Sequence, residues 1–257
     1  MEQKAKKEAE ETLRCAISIF AGNVAHDLRV PLTSMSLNID LFARYLDTFI
    51  KNYEQYISLK DRKKLASYVD NLLSLLPKMK NIIKNMNSSI NATLKAMQRL
   101  AAGTVTKEDF IICEIEPYIK DAIAAYPLNE SETQLIHINI DYNFEFSTYP
   151  ILFYKIIFNL MNNALAQINK NQKGEIFITT SQNEHSNLLH FKDTAGGASA
   201  IVIASMFQGY QTTKKEGTGV GLSFSKLAMK DFGGDITCES VEGDYIEFIL
   251  SFPKLVK

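Results

Sequence analysis

Apolar residues recur at alternating intervals of four and three along most of the first hundred residues, and this spacing constrains the fold more than any other feature of the chain. It is typical of a coiled coil or a helical bundle. One stripe runs from Leu13 to Tyr53, a second from Leu65 to Met97, and the polar stretch 58–62 is the predicted turn between them. Because one hairpin cannot bury both seams, we expect two copies to form a homodimeric four-helix bundle. On periodicity alone, a generic coiled-coil spacer is the alternative.

The regular spacing slips between Phe20 and Leu32, where three intervals of four follow one another. Such a stutter locally unwinds a supercoil. Pro31 lies in the same stretch and removes a backbone donor, so a bend is expected just after Asp27. His26 lies off the apolar seam and is predicted to face solvent at this bend, which gives it more weight than an isolated surface histidine.

The pattern changes after Gly103, where short segments rich in β-branched and aromatic residues alternate with helical ones. The strand-like segments lie near 110–115, 135–142, 175–180, 187–193, 234–240 and 245–252, and the helical ones near 116–126, 150–169 and 219–231. Interleaved strands and helices predict an α/β sandwich. The sequence therefore predicts an α+β protein with a helical hairpin over 1–103 and a sandwich domain over 104–257.

Composition excludes several classes of protein. The net charge of -1 gives no general attraction to nucleic acid or to an anionic membrane. Three widely spaced cysteines argue against a disulfide framework or a zinc site and favour the cytoplasm. The longest apolar run is interrupted by Lys155, so no membrane contact is expected from this chain itself.

Alternating glycines at 217, 219 and 221 immediately precede a predicted amphipathic helix. Glycines let backbone amides approach phosphate oxygens, and a helix N-terminus adds positive potential. The Walker A spacing is absent. A phosphate-binding loop is therefore one interpretation, and a flexible glycine turn is the other.

Asn159 and Asn163 lie four residues apart on one face of the predicted helix near 150–169. Asparagine is unfavourable inside helices, so the pair needs a reason. Ligation of Mg²⁺ together with nucleotide phosphates is one reason, because Mg²⁺ prefers oxygen ligands. A solvated polar face is the alternative.

Asp193 ends a strand-like run and precedes the residues Thr-Ala-Gly-Gly. Its carboxylate could accept a hydrogen bond from an exocyclic amine, or it could simply cap the turn, which is the commoner use of aspartate. A polar segment that contains Lys214 follows and could close over a nucleotide as a lid, or it could be an ordinary surface loop.

The order of these motifs resembles the two-component sensor histidine kinases. AHDLRVPLT, NLMNNAL, DTAGG, MFQGYQTTK and GTGVGL are similar to that family's phosphoacceptor, asparagine, first-glycine, phenylalanine and second-glycine boxes. The resemblance runs from about Phe20 to the C-terminus. It implies a dimerising hairpin followed by an ATP-binding domain of the Bergerat (GHKL) type, acting as a kinase that uses Mg-ATP.

The resemblance also implies roles for individual residues. His26 is then the phosphoacceptor, which attacks the γ-phosphorus of ATP, and Asp27 orients its ring and accepts its proton. Asn163 is the Mg²⁺ ligand, Asn159 faces the phosphates and Asp193 reads the adenine amino group. Further nucleotide contacts are implied for Gly197, Lys214, Gly217, Thr218, Gly219, Val220, Gly221 and Leu222. The phosphoryl group would pass to an aspartate of a response regulator on another chain, and the present chain could be the cytoplasmic portion of a longer sensor.

Val30 departs from the family pattern, since many relatives place Thr or Asn four residues after the histidine to hold a hydrolytic water. Valine cannot hydrogen-bond that water, so we expect weak phosphatase activity. The rate at which the purified protein dephosphorylates its regulator should be low and unchanged by Val30→Ala. A clear rate that falls in the variant would contradict this prediction.

Two further departures concern the nucleotide site. Ala195 stands where glycine is usual, and alanine there would cost about 1 kcal/mol if the position required positive φ. Ala166 stands where many relatives have a basic residue, which shifts phosphate contacts to the lid. These departures leave a degenerate kinase, acting as an ATP-binding or regulator-binding scaffold, as the alternative. A Bergerat-fold serine kinase of the anti-sigma type leaves the His26 hairpin unexplained.

Overall fold

The computed structural model describes residues 11–12, 14–15, 17, 34–35, 37–46, 48, 59–207 and 221–255, with the backbone alone for 59–73. Several predicted functional residues lie outside the described residues, namely His26, Asp27, Val30, Lys214, Gly217, Thr218, Gly219 and Val220. The described residues divide into two compact units. One unit lies within 19–95, and the other contains the described residues of 1–18 together with those from 96 onward.

Helix α1 (Leu59–Ala102) is a long helix of the N-terminal half. The predicted turn at 58–62 is wrong for residues 59–62, which are helical. Leucine, lysine and arginine are good helix formers, and the stretch holds no glycine or proline to end a helix. Pro77 lies inside α1 without ending it. None of the helices in the described part of the chain is long and apolar enough to cross a bilayer.

The C-terminal half contains seven strands and five further α-helices in its described residues. The strands are β1 (Ile111–Glu114), β2 (Ile136–Asn139), β3 (Glu145–Thr148), β4 (Ile176–Gln182), β5 (Ser186–Asp193), β6 (Asp235–Val241) and β7 (Tyr245–Pro253). The helices are α2 (Ile115–Ala124), α3 (Glu130–Thr133), α4 (Pro150–Asn171), α5 (Ala200–Ser205) and α6 (Gly221–Asp231). Pro150 occupies the first turn of α4, where its missing N–H has no partner to lose.

The main sheet has the order β2-β4-β5-β7-β6, with β2 parallel to β4 and every other pair antiparallel. Strands β1 and β3 form a separate antiparallel pair. Alternate residues of β4 and β5 are buried, which is the pattern of a sheet covered on one face. The α/β sandwich predicted for this half is confirmed.

Helix α4 packs on the covered face of the sheet through aromatic residues. The ring centroids of Phe153 on α4 and Phe146 on β3 are 5.1 Å apart, and Phe146 lies 4.9 Å from Phe252 on β7. All three side chains are almost fully buried. Burial of a phenylalanine contributes about 2–3 kcal/mol, so this cluster fixes α4 relative to the sheet.

Candidate functional site

Asn159 ties α4 to the beginning of α6. Its side-chain Nδ2 donates a hydrogen bond to the carbonyl oxygen of Gly221 at 2.9 Å and lies 3.4 Å from the hydroxyl of Ser225. Ser225 also donates to the Gly221 carbonyl at 2.9 Å. Asn159 is only 8% exposed, so a solvated polar face does not explain it. The structure thus brings the asparagine motif against the end of the second glycine motif.

Gly221 lies directly against the Asn159 side chain. A Cβ atom built on Gly221 would lie 3.4 Å from Cγ of Asn159, which is an ordinary van der Waals contact, so the structure gives no steric reason for glycine here. Leu222, the next residue, is partly buried. Ser225 was not predicted as a site residue, although its position one helical turn after Gly221 would have indicated it.

Asn163 lies one turn further along α4 and is partly exposed. Its side chain offers the kind of oxygen that Mg²⁺ prefers, and its exposure leaves room for a ligand. Among the described residues, no group of three or more histidine, cysteine, aspartate or glutamate side chains could hold a metal ion. A magnesium ion here would therefore rely on Asn163 together with the oxygens of a bound nucleotide.

Asp193 is the last residue of β5 and belongs to the row of this strand that faces the helices. It is 3% exposed, and its Oδ1 accepts a hydrogen bond from the backbone N–H of Ala195 at 3.1 Å. Burial raises the pKa of Asp193 to about 6, while the Ala195 N–H opposes that rise. A buried carboxylate with few donors is a suitable acceptor for a ligand amine, although the bond to Ala195 also fits the turn-capping alternative.

The far end of α4 holds the loop that follows Asp193. Asn171 donates from Nδ2 to the carbonyl oxygen of Ala195 at 2.6 Å. Asn159 and Asn171 are twelve residues apart, or about 18 Å along the helix. Helix α4 therefore spans the candidate site, with the second glycine motif near Asn159 and the loop of Asp193 near Asn171.

The concern about Ala195 is removed, because its φ is not positive. Among the described residues, Gln172 alone has a positive φ without being glycine. Ala195 is 1% exposed and lies against Gly174, where an added Cβ would come within 2.8 Å of the Ala195 backbone. The unusual alanine is accommodated without strain, since the glycine needed for close approach is Gly174.

Gly197, predicted to contact nucleotide, packs closely against the hairpin of β6 and β7. Its φ is +63°, and an added Cβ would lie 2.2 Å from the carbonyl oxygen of Val241 and 2.6 Å from that of Tyr245. Two further bonds fix the same loop: Gly196 N–H donates to the Asp244 carbonyl, and Ala198 N–H to the Ser240 hydroxyl. Gly197 thus has a structural role, and its contact with nucleotide stays a prediction.

We expect Gly197→Ala to destabilise the domain by about 3–5 kcal/mol, because strain at positive φ adds to a clash with backbone. Gly243→Ala is the matched control. Its φ of +89° is also positive, but nothing lies within 4 Å of the added Cβ, so its cost should be about 1 kcal/mol. Urea unfolding of both variants measures the difference. Equal losses of stability would show that the clash is relieved at no cost.

Comparison with known proteins agrees with the arrangement of these motifs. Residues 148–255 match the sequence model of a family described as histidine kinase-, DNA gyrase B- and HSP90-like ATPases. The sensor kinase/phosphatase CqsS of Vibrio cholerae, whose name gives CAI-1 as its autoinducer, is 26% identical over 248 residues, covering 96% of this chain and 35% of CqsS. The sensor histidine kinase ZraS of Escherichia coli is 26% identical over 239 residues, covering 93% of this chain and 46% of ZraS.

Other relatives extend the same comparison. The autoinducer 1 sensor kinase/phosphatase LuxN of Vibrio campbellii is 22% identical over 96% of this chain and 27% of LuxN. Among solved structures, a nucleotide-free catalytic domain of the histidine kinase ThkA covers 56% of this chain with a TM-score of 0.49 and 21% identity. The chain spans about a quarter to a half of the length of these curated relatives. The curated relatives show that the chain is similar to sensor histidine kinases over most of its length, and residues 148–255 match the ATPase domain found in that family.

Proposed function

We propose that this chain is the catalytic core of a sensor histidine kinase, which transfers the γ-phosphoryl group of Mg-ATP to His26. The observation that carries the proposal is the arrangement along α4. Asn159 binds the end of the second glycine motif at one point of the helix, and Asn171 binds the loop of Asp193 about 18 Å away. A nucleotide lying along α4 could thus have its phosphates near Asn159 and its adenine near Asp193.

The chemistry asked of the protein is mainly positioning. A ring nitrogen of His26 forms a bond to the γ-phosphorus as the bond to the ADP oxygen breaks, and Asp27 accepts the other ring proton. Asn163 would hold Mg²⁺, which neutralises phosphate charge when bound. The phosphoryl group then passes to an aspartate of a separate response regulator, and we place this core in the cytoplasm.

The test is incubation with Mg-ATP labelled at the γ-phosphate, followed by acid and alkali treatment of the protein. We expect a label that is lost in acid and retained in alkali, because phosphohistidine is labile to acid and stable to alkali. ATP binding without any label would contradict the kinase and favour a degenerate ATP-binding scaffold. Failure to bind ATP would contradict both.

We also propose that the helical half forms a homodimer. Leu75, Met79, Ile82 and Met86 follow one another at intervals of four, three and four along α1, and each is about half exposed. Leu76 and Ile83, on an adjoining stripe, are buried. A second apolar stripe left open on the same helix fits an interface with another copy.

Ile82→Glu is expected to weaken this dimer at least tenfold, because it places a charge from each copy in the apolar seam. Asn81→Glu is the matched control. Asn81 is exposed and lies about 100° around α1 from Ile82, off the seam, so the same new charge should leave the dimer intact. Size-exclusion chromatography with light scattering, run over a range of protein concentrations, measures the molecular mass of each variant. A dimer unaffected by Ile82→Glu would contradict the proposed seam.

A further inference from the structure

Lys155 lies on α4 four residues before Asn159, on the neighbouring part of the same helix face. It is partly buried, and within the part of the chain that the structure describes it makes no hydrogen bond or ion pair. Burial lowers the pKa of Lys155. A buried ammonium without a counter-charge is unfavourable, so a bound anion would recover much of the lost solvation.

The position of Lys155 indicates which part of an anion it would meet. The loop of Asp193 is bound near the C-terminal end of α4, and Gly221 is bound at Asn159. Lys155 lies one turn beyond Asn159, about 6 Å further from Asp193. Side chains of a helix lean toward its N-terminus, which carries the ammonium further in the same direction.

We infer that the ammonium of Lys155 contacts the terminal phosphate of ATP bound along α4. This inference rests on the proposed function. It also accounts for Ala166, because the cation that the sequence lacks at 166 is supplied from the other side of Asn159. A contact with the terminal phosphate distinguishes ATP from ADP, which is useful to a kinase that must release ADP after transfer.

The difference between ATP and ADP tests the inference directly. Titration calorimetry should show that Lys155→Gln weakens ATP binding about tenfold or more, while the Kd for ADP changes less than twofold. Lys170→Gln is the matched control, since Lys170 is exposed on the same helix and should change neither Kd. Equal effects on ATP and ADP, or no effect on either, would overturn the inference.

A pH series provides a second readout, independent of how well the glutamine variant folds. A lysine whose pKa is lowered loses its charge at a lower pH than an ordinary lysine, so the preference of the wild type for ATP over ADP should decline as the pH is raised. Lys155→Arg should retain the preference, because arginine stays charged. The same decline in both proteins would overturn the inference. If the wild type binds neither nucleotide, the proposed function fails; if it binds ATP and Lys155→Gln matches it, this inference alone fails.

Discussion

Replacement of His26 by glutamine is expected to abolish acid-labile labelling by Mg-ATP while leaving the Kd for ATP within twofold of wild type. Glutamine resembles histidine in size but has no nucleophilic ring nitrogen, and no bond to phosphorus can form at that position. The proposed nucleotide site is built from α4, β5 and α6, so its affinity should not depend on the acceptor. Labelling and titration calorimetry on the same preparations provide both measurements.

The other three histidines of the chain make the control specific. His190 lies 2.7 Å from the Ser181 hydroxyl through Nε2 and 2.8 Å from Glu247 through Nδ1, so both ring nitrogens are engaged. His137 stacks on Phe177 and lies 3.4 Å from Glu175. His185 is exposed in the turn between β4 and β5, as His137 is in β2, but no ring contact is seen for His185 among the described residues, so it is the more accessible competing acceptor.

His185→Gln is therefore the matched control for His26→Gln. It removes an exposed imidazole and should leave the label at the wild-type level. If His185→Gln loses the label and His26→Gln keeps it, the acceptor is His185 in the sandwich domain, which would contradict the proposed kinase mechanism.

Much of the sandwich was predictable because its residues follow simple periods. The alternation along β5 places every second residue inside, and it carries Asp193 to the buried row at the strand end. Asn159 and Asn163 share a helix face by their spacing of four, and Pro150 indicated where α4 begins. Local pattern was sufficient wherever one face of an element was buried.

The roles of the glycine-loop residues were less accessible to prediction. The backbone conformation of Ala195 and the need for glycine at 197 both depend on residues that are distant in sequence. Gly174 lies against the Ala195 backbone, and the hairpin of β6 and β7 lies against Gly197. Strand β3 was also missed, because only Phe146 and Thr148 of its four residues favour a strand, and the segment becomes one by pairing with β1. The predicted turn at 58–62 failed because polarity was taken for a break, although the residues favour helix.

Asp193→Asn is expected to stabilise the apo domain at pH 8 and to weaken ATP binding. The native pKa of Asp193 is about 6, above the ordinary value of 3.8, so between these values the folded state retains a proton that the unfolded state releases. The free energy of unfolding of the wild type therefore falls as the pH rises from about 4 to 6 and stays lower above it. A shift of this size corresponds to roughly 2–3 kcal/mol. Asparagine can still accept from the Ala195 N–H but carries no charge to bury.

Urea unfolding at pH 4.5 and pH 8 tests the stability effect. Asp193→Asn should gain about 1–2 kcal/mol over wild type at pH 8 and little at pH 4.5. Asp244→Asn is the control, since it removes an exposed carboxylate from the adjacent hairpin turn and should change neither value. An Asp193→Asn variant that is less stable than the wild type at pH 8 would show that the ionised carboxylate stabilises the fold and is not kept for binding a ligand.

The same carboxylate is expected to make ATP binding depend on pH. In the proposed complex, ionised Asp193 accepts hydrogen bonds from the Ala195 N–H and from the adenine amino group, whereas its protonated form and asparagine would present a donor to that amino group. The affinity of the wild type should therefore fall as the pH drops below about 6, and Asp193→Asn should bind at least tenfold more weakly at pH 8. Titration of the nucleotide's own phosphates is common to both proteins, so the ratio of their Kd values isolates Asp193. This ratio should approach one near pH 5; a ratio near one at pH 8 would mean that the carboxylate caps its turn without reading adenine.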